Sequence, residues 1–129
     1  MVFFFLFSCL LFSFDILGGK KEVVIAARST GSVCLFSLPG LDLLAEVAAH
    51  IRWISQLLPC SGGFLSGSED SFVHLWRLDT NEIRYVDSLQ LENSIILSGA
   101  AINDAGNYLF TVYDRPQMYQ VTVLPFSAD

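Results

Sequence analysis

Short apolar runs separated by turn-forming residues dominate the chain after residue 15. The runs are four to six residues long and rich in β-branched and aromatic side chains, as in Val23–Ala27, Val33–Phe36 and Phe72–Trp76. Such runs are typical of β-strands. Leu43–Ala49 has a helical look, but it is too short to hold a helix without caps, and we interpret it as a strand. The pattern therefore predicts an all-β antiparallel fold.

The stretches between the runs are rich in Gly, Pro, Asn, Asp and Ser, which favour tight turns. They are 29–31, 39–42, 59–63, 79–82 and 103–106. The predicted strands span 12–17, 22–28, 32–38, 43–48, 51–58, 63–68, 71–78, 82–89, 95–102, 107–113 and 118–124.

The strands repeat along the chain. Residues 24–38 align with residues 64–78 at an offset of 40. The aligned pairs are Ala26 with Ser66, Thr30 with Asp70, Gly31 with Ser71 and Phe36 with Trp76. A third copy, at an offset of 44, puts Asp114 at the position of Asp70 and Gln120 at the position of Trp76. A strand–turn–strand unit with this period is typical of the four-stranded blades of a β-propeller.

The middle copy, Leu43–Leu78, carries the most specific signal. A His precedes the strand 51–58, a Ser lies on the strand 63–68, an Asp in the turn after it and a Trp on the strand 71–78. These residues, in order, are His50, Ser66, Asp70 and Trp76. The arrangement resembles the WD-repeat β-propeller family, and the likeness covers about residues 22–124.

That resemblance implies a structural tetrad, a hydrogen-bonded chain through His50, Ser66, Asp70 and Trp76. Buried indole N–H groups and imidazole rings need polar partners, and a carboxylate in the turn accepts hydrogen bonds from the His and from turn amides. The copy departs from the family pattern at Ala49, where Gly is usual, and at Arg77, where Asp is usual. The outer copies lack the Trp, so we expect the tetrad in the middle blade only.

Too few residues are present to close a ring, since 129 residues hold fewer than the four blades that the smallest propellers need. We therefore expect an incomplete propeller of two and a half to three four-stranded antiparallel blades, belonging to the C-terminal part of a longer one. Residues 12–124 form these blades, 1–11 an apolar N-terminal segment of unclear origin and 125–129 a tail. The uncovered blade faces are expected to carry Val33, Leu35, Val112 and Met118, and to favour self-association.

The charge and cysteine content exclude several classes of function. Seven Lys and Arg against thirteen Asp and Glu give a net charge of −6, which disfavours nucleic acid as a primary ligand. Three cysteines are an odd number without close spacing, typical of a reduced, intracellular chain.

No pattern in the sequence indicates a catalytic, metal-binding or phosphate-binding site. His50, His74, Cys34 and Cys60 lack metal-ligand spacing. Ser66 and Ser68 beside Gly67 do not form a G-x-S-x-G elbow, and Glu69–Asp70 lies in a turn. Gly62–Gly63 precedes no helix and so predicts no phosphate site. We therefore expect no catalytic, cofactor-binding or metal site, and a protein that is not an enzyme.

The first residues leave the location open. Residues 2–14 are nearly all apolar, but a basic start and a small-x-small cleavage site are missing, and Asp15 ends the run before the length of a membrane span. We expect a cytoplasmic protein. The alternative is a secreted or membrane-associated β protein, with residues 1–14 acting as a signal.

The function implied is a non-catalytic protein–protein interaction scaffold, because propellers present loops to partners. The loops in question are 48–52, 69–71 and 114–117, and the candidate partner contacts are Arg52, Trp53 and Arg115. The alternative is a truncated product with no independent activity.

Overall fold

The computed structural model describes residues 9–91, 97–102, 107–112, 116 and 118–123. Every regular element in this part is a strand. The strands are β1 (Cys9–Ile16), β2 (Gly19–Ala27), β3 (Ser32–Ser37), β4 (Leu43–Ala48), β5 (Ile54–Cys60), β6 (Gly63–Ser68), β7 (Phe72–Leu78), β8 (Ile83–Gln90), β9 (Leu97–Ile102), β10 (Tyr108–Val112) and β11 (Met118–Val121).

The strands form three antiparallel sheets. Their orders are β1–β2–β3–β4, β5–β6–β7–β8 and β9–β10–β11. In each sheet the strand order follows the chain order, as in a meander. Strand β5 contacts β1 and β9, and β4 contacts β8, so the first strands lie together at one edge of the stack and the fourth strands at the other. These are three blades of an incomplete β-propeller, which confirms the predicted fold class.

Three strands begin three residues away from the predicted position, and one of them, β2, begins at Gly19 instead of residue 22. β1 begins at Cys9 and pairs Cys9–Leu11 with Val24–Ala26, so these residues, expected in the N-terminal segment, belong to the first blade. β5 begins at Ile54 because Ile51–Trp53 form a loop.

The repeat of 40 residues is present in the backbone. Val24 faces Phe36 in the first blade as Phe64 faces Trp76 in the second. A register shift follows Leu35 in the first blade, and another occurs forty residues later. The turns also match, because the positive φ of Gly31 has its counterpart at Ser71.

The third repeat differs from the prediction by one residue. When Phe110 is aligned with Ser66, the residue that faces Tyr108, and so corresponds to Trp76, is Val121 rather than Gln120. Tyr108 and Val121 lie 13 positions apart along the chain, whereas Phe64 and Trp76 lie 12 apart, so the third repeat has one extra residue between the paired positions. Asp114, which the sequence aligned with Asp70, lies outside the described residues.

The middle blade is covered by apolar side chains on both faces. Phe64 and Trp76 pack toward the first blade against residues such as Val23 and Leu35. Leu65 and Val73, which alternate with them, pack toward the third blade. There they meet Tyr108 and Phe110. Burying one such side chain contributes roughly 1.5–3 kcal/mol, so the two interfaces hold the stack together.

The prediction that Val33 and Leu35 line an uncovered face is wrong. Both are fully buried against the middle blade. Side chains alternate along a strand, and β3 is apolar on both faces, so the other face carries Cys34 and Phe36. Met118 is 60% exposed, and the side chain of Val112 lies outside the description.

Candidate functional site

The structure brings the four tetrad residues together, although they come from four separate parts of the chain. His50 follows β4, Ser66 lies in the middle of β6, Asp70 in the turn before β7 and Trp76 on β7. The backbone of His50 is fixed from the first blade, because its N–H donates to the carbonyl of Gly31 at 3.0 Å. The tetrad therefore joins two blades.

The hydrogen bonds of the tetrad run in one direction. Trp76 Nε1–H donates to Ser66 Oγ at 2.9 Å. Ser66 Oγ lies 2.8 Å from His50 Nε2, and His50 Nδ1 lies 2.9 Å from Asp70 Oδ2. An indole N–H only donates and a carboxylate only accepts. Every atom is therefore satisfied when Ser66 donates to Nε2 and a neutral His50 donates from Nδ1 to Asp70.

The surroundings keep His50 neutral. Its side chain is fully buried, and burial lowers the pKa of His50, while the neighbouring Asp70 carboxylate partly opposes that shift. Asp70 is further held by the backbone N–H of Phe72, which donates to Oδ1 at 3.0 Å.

Stability is expected to fall as the pH drops below about 6.5, the ordinary histidine pKa. The unfolded chain takes up a proton there, whereas native His50 does so only at lower pH. The unfolded state therefore binds more protons between the two pKa values, which favours unfolding. Urea unfolding at pH 7.5 and 5.5 gives the free energy of unfolding at each pH. His50→Gln should reduce the difference between the two values. An unchanged difference in that variant contradicts a neutral, buried His50.

A second histidine, His74, completes an aromatic group around the tetrad. His74 stacks on His50 with ring centroids 4.3 Å apart and meets the edge of Trp76 at 5.9 Å. Phe72 and Tyr85 also contact the His74 ring. Burial and the neighbouring His50 lower the pKa of His74. The signal in the sequence was the alternation of Phe72, His74 and Trp76, which places all three on one face of β7.

Asp70, His50 and Ser66 stand in the order of an acyl-transfer triad, but the geometry does not suit catalysis. Ser66 is fully buried and its Oγ already accepts the indole N–H of Trp76. A nucleophile must meet a substrate carbonyl and needs an oxyanion site beside it. The tetrad instead ties the turn before β7 to the core of the blade.

Other reactive groups are likewise arranged for packing. Within the described residues no group of three His, Cys, Asp or Glu side chains is placed to hold a metal ion. The cysteines are free thiols. Burial raises the pKa of Cys60 to about 11 and raises those of Cys9 and Cys34, which lowers the thiolate fraction at neutral pH.

The exposed feature next to the tetrad is the loop Ile51–Trp53, which we name the docking loop. Ser68 Oγ donates to the carbonyl of Trp53 at 2.9 Å, and the N–H of Glu69 donates to the same oxygen at 3.2 Å. The side chains point outward: Ile51 is 87% exposed, Trp53 is 42% exposed and Arg52 is exposed. Of the candidate partner contacts, Arg52 and Trp53 thus share one fixed loop, and Arg115 lies outside the described residues.

Comparison with known proteins places the chain among propellers. WD repeat-containing protein 54 of Mus musculus is 39% identical over 63 residues, covering 47% of this chain and 19% of the relative. The Homo sapiens protein of that name is 30% identical over 107 residues, covering 76% of this chain and 32% of the relative. The resemblance to the WD-repeat β-propeller family is confirmed.

Structural comparison agrees with the WD-repeat likeness. The Cps50 (Swd1) β-propeller domain of Myceliophteria thermophila superposes with a TM-score of 0.65 over 84% of this chain and 38% of that domain. The identity is 14%, so this match shows the fold alone. No protein-family model matches the chain.

From the sequence we interpret Glu46–His50, Ser68–Leu78 and Tyr113–Asp114 as the segments that carry the likeness to WD repeat-containing protein 54. The chain spans about a third or less of the length of the relatives it matches. That the likeness falls in the C-terminal part of the relative stays a prediction. The described residues include no helix long and apolar enough to cross a membrane.

Proposed function

We propose that the chain is a non-catalytic protein–protein interaction scaffold whose docking loop contacts a partner protein. The observation that carries the proposal is the contrast at one end of the middle blade. The polar side chains of the tetrad hydrogen-bond to one another. The backbone of the docking loop is also held by hydrogen bonds, but its side chains are exposed.

The loop has the properties of an interaction site. Large apolar, aromatic and Arg side chains are the types that contribute most to protein interfaces. A loop already held by hydrogen bonds loses little entropy when it binds, which raises affinity. WD-repeat relatives also suggest a scaffold role.

The proposal includes a cytoplasmic location, which is supported by the three free cysteines, since thiols stay reduced inside cells. It also includes self-association through uncovered blade faces, a second mode of protein contact. Leu11, 51% exposed, lies on the face of the first blade that points away from the middle blade.

The test is quantitative co-purification from cells that express the full chain with a tag at Asp129, after fractionation into cytosol and membranes. The double variant Ile51→Ser and Trp53→Ala should lose at least one partner by about thirtyfold, because a hot-spot truncation costs about 2 kcal/mol or more.

Leu17→Ser is the matched control, since Leu17 is fully exposed in the turn after β1 rather than in the loop before β5. We expect it to keep all partners. A docking-loop variant with the same thermal unfolding and the same partners as the parent chain would overturn the proposal. Recovery of the chain in the medium would overturn the location alone, and a monomer in sedimentation at high concentration would overturn self-association alone.

A further inference from the structure

Two carbonyl groups of the docking loop are turned toward the blades. The carbonyl oxygen of Arg52 lies 3.3 Å from Ser68 Oγ and 2.9 Å from the place that a Cβ of Gly31 would occupy. The carbonyl of Trp53 accepts a hydrogen bond from Ser68 Oγ at 2.9 Å. These two acceptors of the loop backbone are therefore occupied within the protein.

The donor groups of the same loop have no acceptor within the described residues. They are the backbone N–H groups of Ile51, Arg52 and Trp53, the guanidinium of Arg52 and the indole N–H of Trp53. All of these groups donate hydrogen bonds and accept none. A ligand that fits this loop therefore presents acceptor oxygens.

Among the cations at this end of the first two blades, Arg52 has no counter-ion in the part of the chain that the structure describes. Arg28, in the neighbouring turn, pairs with Glu46 at 3.5 Å, and the carboxylate of Asp70 belongs to the tetrad. Glu69 forms no ion pair with any described residue either. One guanidinium is thus available to a negative charge of a partner, although the chain as a whole carries −6.

We propose that the docking loop binds an acidic segment of a partner protein, with an Asp or Glu carboxylate on the Arg52 guanidinium and a large apolar side chain against Ile51 and Trp53. A guanidinium donates two parallel hydrogen bonds to a carboxylate, and the indole N–H can donate to a carbonyl of the segment. The inference rests on the proposed function, because it concerns the same loop, and it adds the chemistry of the partner.

The charges around the loop favour a carboxylate over a phosphate group. A phosphorylated side chain carries up to about two negative charges, whereas the loop offers one guanidinium. Glu69, whose N–H donates to the carbonyl of Trp53 at 3.2 Å, lies beside the loop and repels a second negative charge.

The experiment begins with short random peptides displayed on phage and selected on the full chain. Peptides that also bind the double variant Ile51→Ser and Trp53→Ala are removed. We expect the remaining peptides to share an Asp or Glu close to a large apolar residue. Titration calorimetry on a synthetic copy should show about tenfold weaker binding when its acidic residue is changed to the amide, and the same loss for Arg52→Gln. The two changes together should cost no more than either alone, because both remove one ion pair.

Lys20→Gln is the matched control, because it also removes one exposed positive charge. Lys20 lies at the start of β2, whereas the turn that contacts the loop follows the end of that strand. This variant should bind the acidic peptide within about twofold of the parent chain. Glu69→Gln keeps the backbone N–H that holds the loop and removes a negative charge, so it should strengthen binding of the acidic peptide by about twofold.

Three peptide results would overturn the inference. In the first, no peptide that depends on the loop is enriched, or those enriched share no acidic residue. In the second, Arg52→Gln and Lys20→Gln weaken the acidic peptide equally, which assigns the effect to the net charge of the chain. In the third, a phosphoserine analogue binds about tenfold more tightly than the acidic peptide, which assigns the loop to phosphorylated segments.

Co-purification separates this inference from the proposed function. We expect a partner that is lost with the double variant to be lost with Arg52→Gln as well. A partner that Arg52→Gln retains in full would overturn the acidic segment and leave the docking loop as the contact.

Discussion

The chain with Trp76 replaced by alanine is expected to lose about 3–5 kcal/mol of its free energy of unfolding. Trp76 is buried between blades, stacked on Phe64 with ring centroids 6.2 Å apart and in edge contact with Tyr85 at 5.7 Å. Removing the indole leaves a cavity in this interface and deprives Ser66 of its donor. The loss is a large part of the free energy of unfolding of a typical domain, which is about 5–15 kcal/mol.

Two companion variants separate the effect of the lost ring volume from the effect of the lost hydrogen bond. Trp76→Phe keeps most of the ring volume and removes the N–H, so it should cost about 1–3 kcal/mol. Trp53→Ala removes a half-exposed indole and should cost less than Trp76→Phe. Far-UV circular dichroism in urea follows all three without depending on tryptophan fluorescence. Equal losses for Trp76→Ala and Trp53→Ala would contradict the role assigned to the tetrad.

Most of the fold could be predicted because strand runs and turn residues alternate so regularly, and the 40-residue offset holds in the register of two blades. The starts of β1 and β5 were missed for different reasons. The apolar run before Asp15 contains no Gly, Pro, Asn or Asp to mark where β1 begins. Ile51–Trp53 have strand-forming side chains, yet hydrogen bonds from Ser68 and Glu69 hold them as a loop, and such tertiary contacts override local propensity.

The face assignments were harder to predict than the strands. In β3 the residues Val33, Cys34, Leu35 and Phe36 are apolar at successive positions, so alternation alone does not tell which pair faces the neighbouring blade. In the third repeat one extra residue between the paired positions places Val121 opposite Tyr108, where Gln120 was predicted. The sequence does not show where the extra residue lies, because the pairing register of the two strands depends on backbone geometry.

The tetrad was the opposite case, since the resemblance to the WD-repeat family implied all four residues before the structure was known. A donor-only indole, a hydroxyl, an imidazole and a carboxylate can satisfy one another in a single order. The surfaces could be predicted only in part. Ile51 gave no signal, because exposure depends on the loop. The structure also has a groove lined by Leu65, Leu89 and Val121. It depends on how the second and third sheets pack against each other, which no local sequence pattern encodes.

The second large effect is expected at Gly31, a turn residue of the first blade that contacts the tetrad. Its φ is +97°, and a Cβ there would overlap the carbonyl oxygen of His50 and lie 2.9 Å from that of Arg52. Both oxygens are backbone atoms, so neither can move without shifting the segment that carries His50. Gly31→Ala should therefore displace the tetrad as well as strain the turn.

We expect Gly31→Ala to cost about 2–5 kcal/mol, the sum of roughly 1–2 kcal/mol for a left-handed alanine and about 1–3 kcal/mol for the overlap. Gly18→Ala isolates the first part, because Gly18 has a φ of +94° and no atom near a Cβ. Urea unfolding gives the two losses, and the proton shift of the Trp76 indole reports the tetrad. That shift should change in Gly31→Ala and stay constant in Gly18→Ala. The carbonyl of Gly31 also accepts the N–H of His50, which links the first blade to the tetrad. If both variants lose the same free energy of unfolding and the indole shift does not change, the first blade does not hold the tetrad in place.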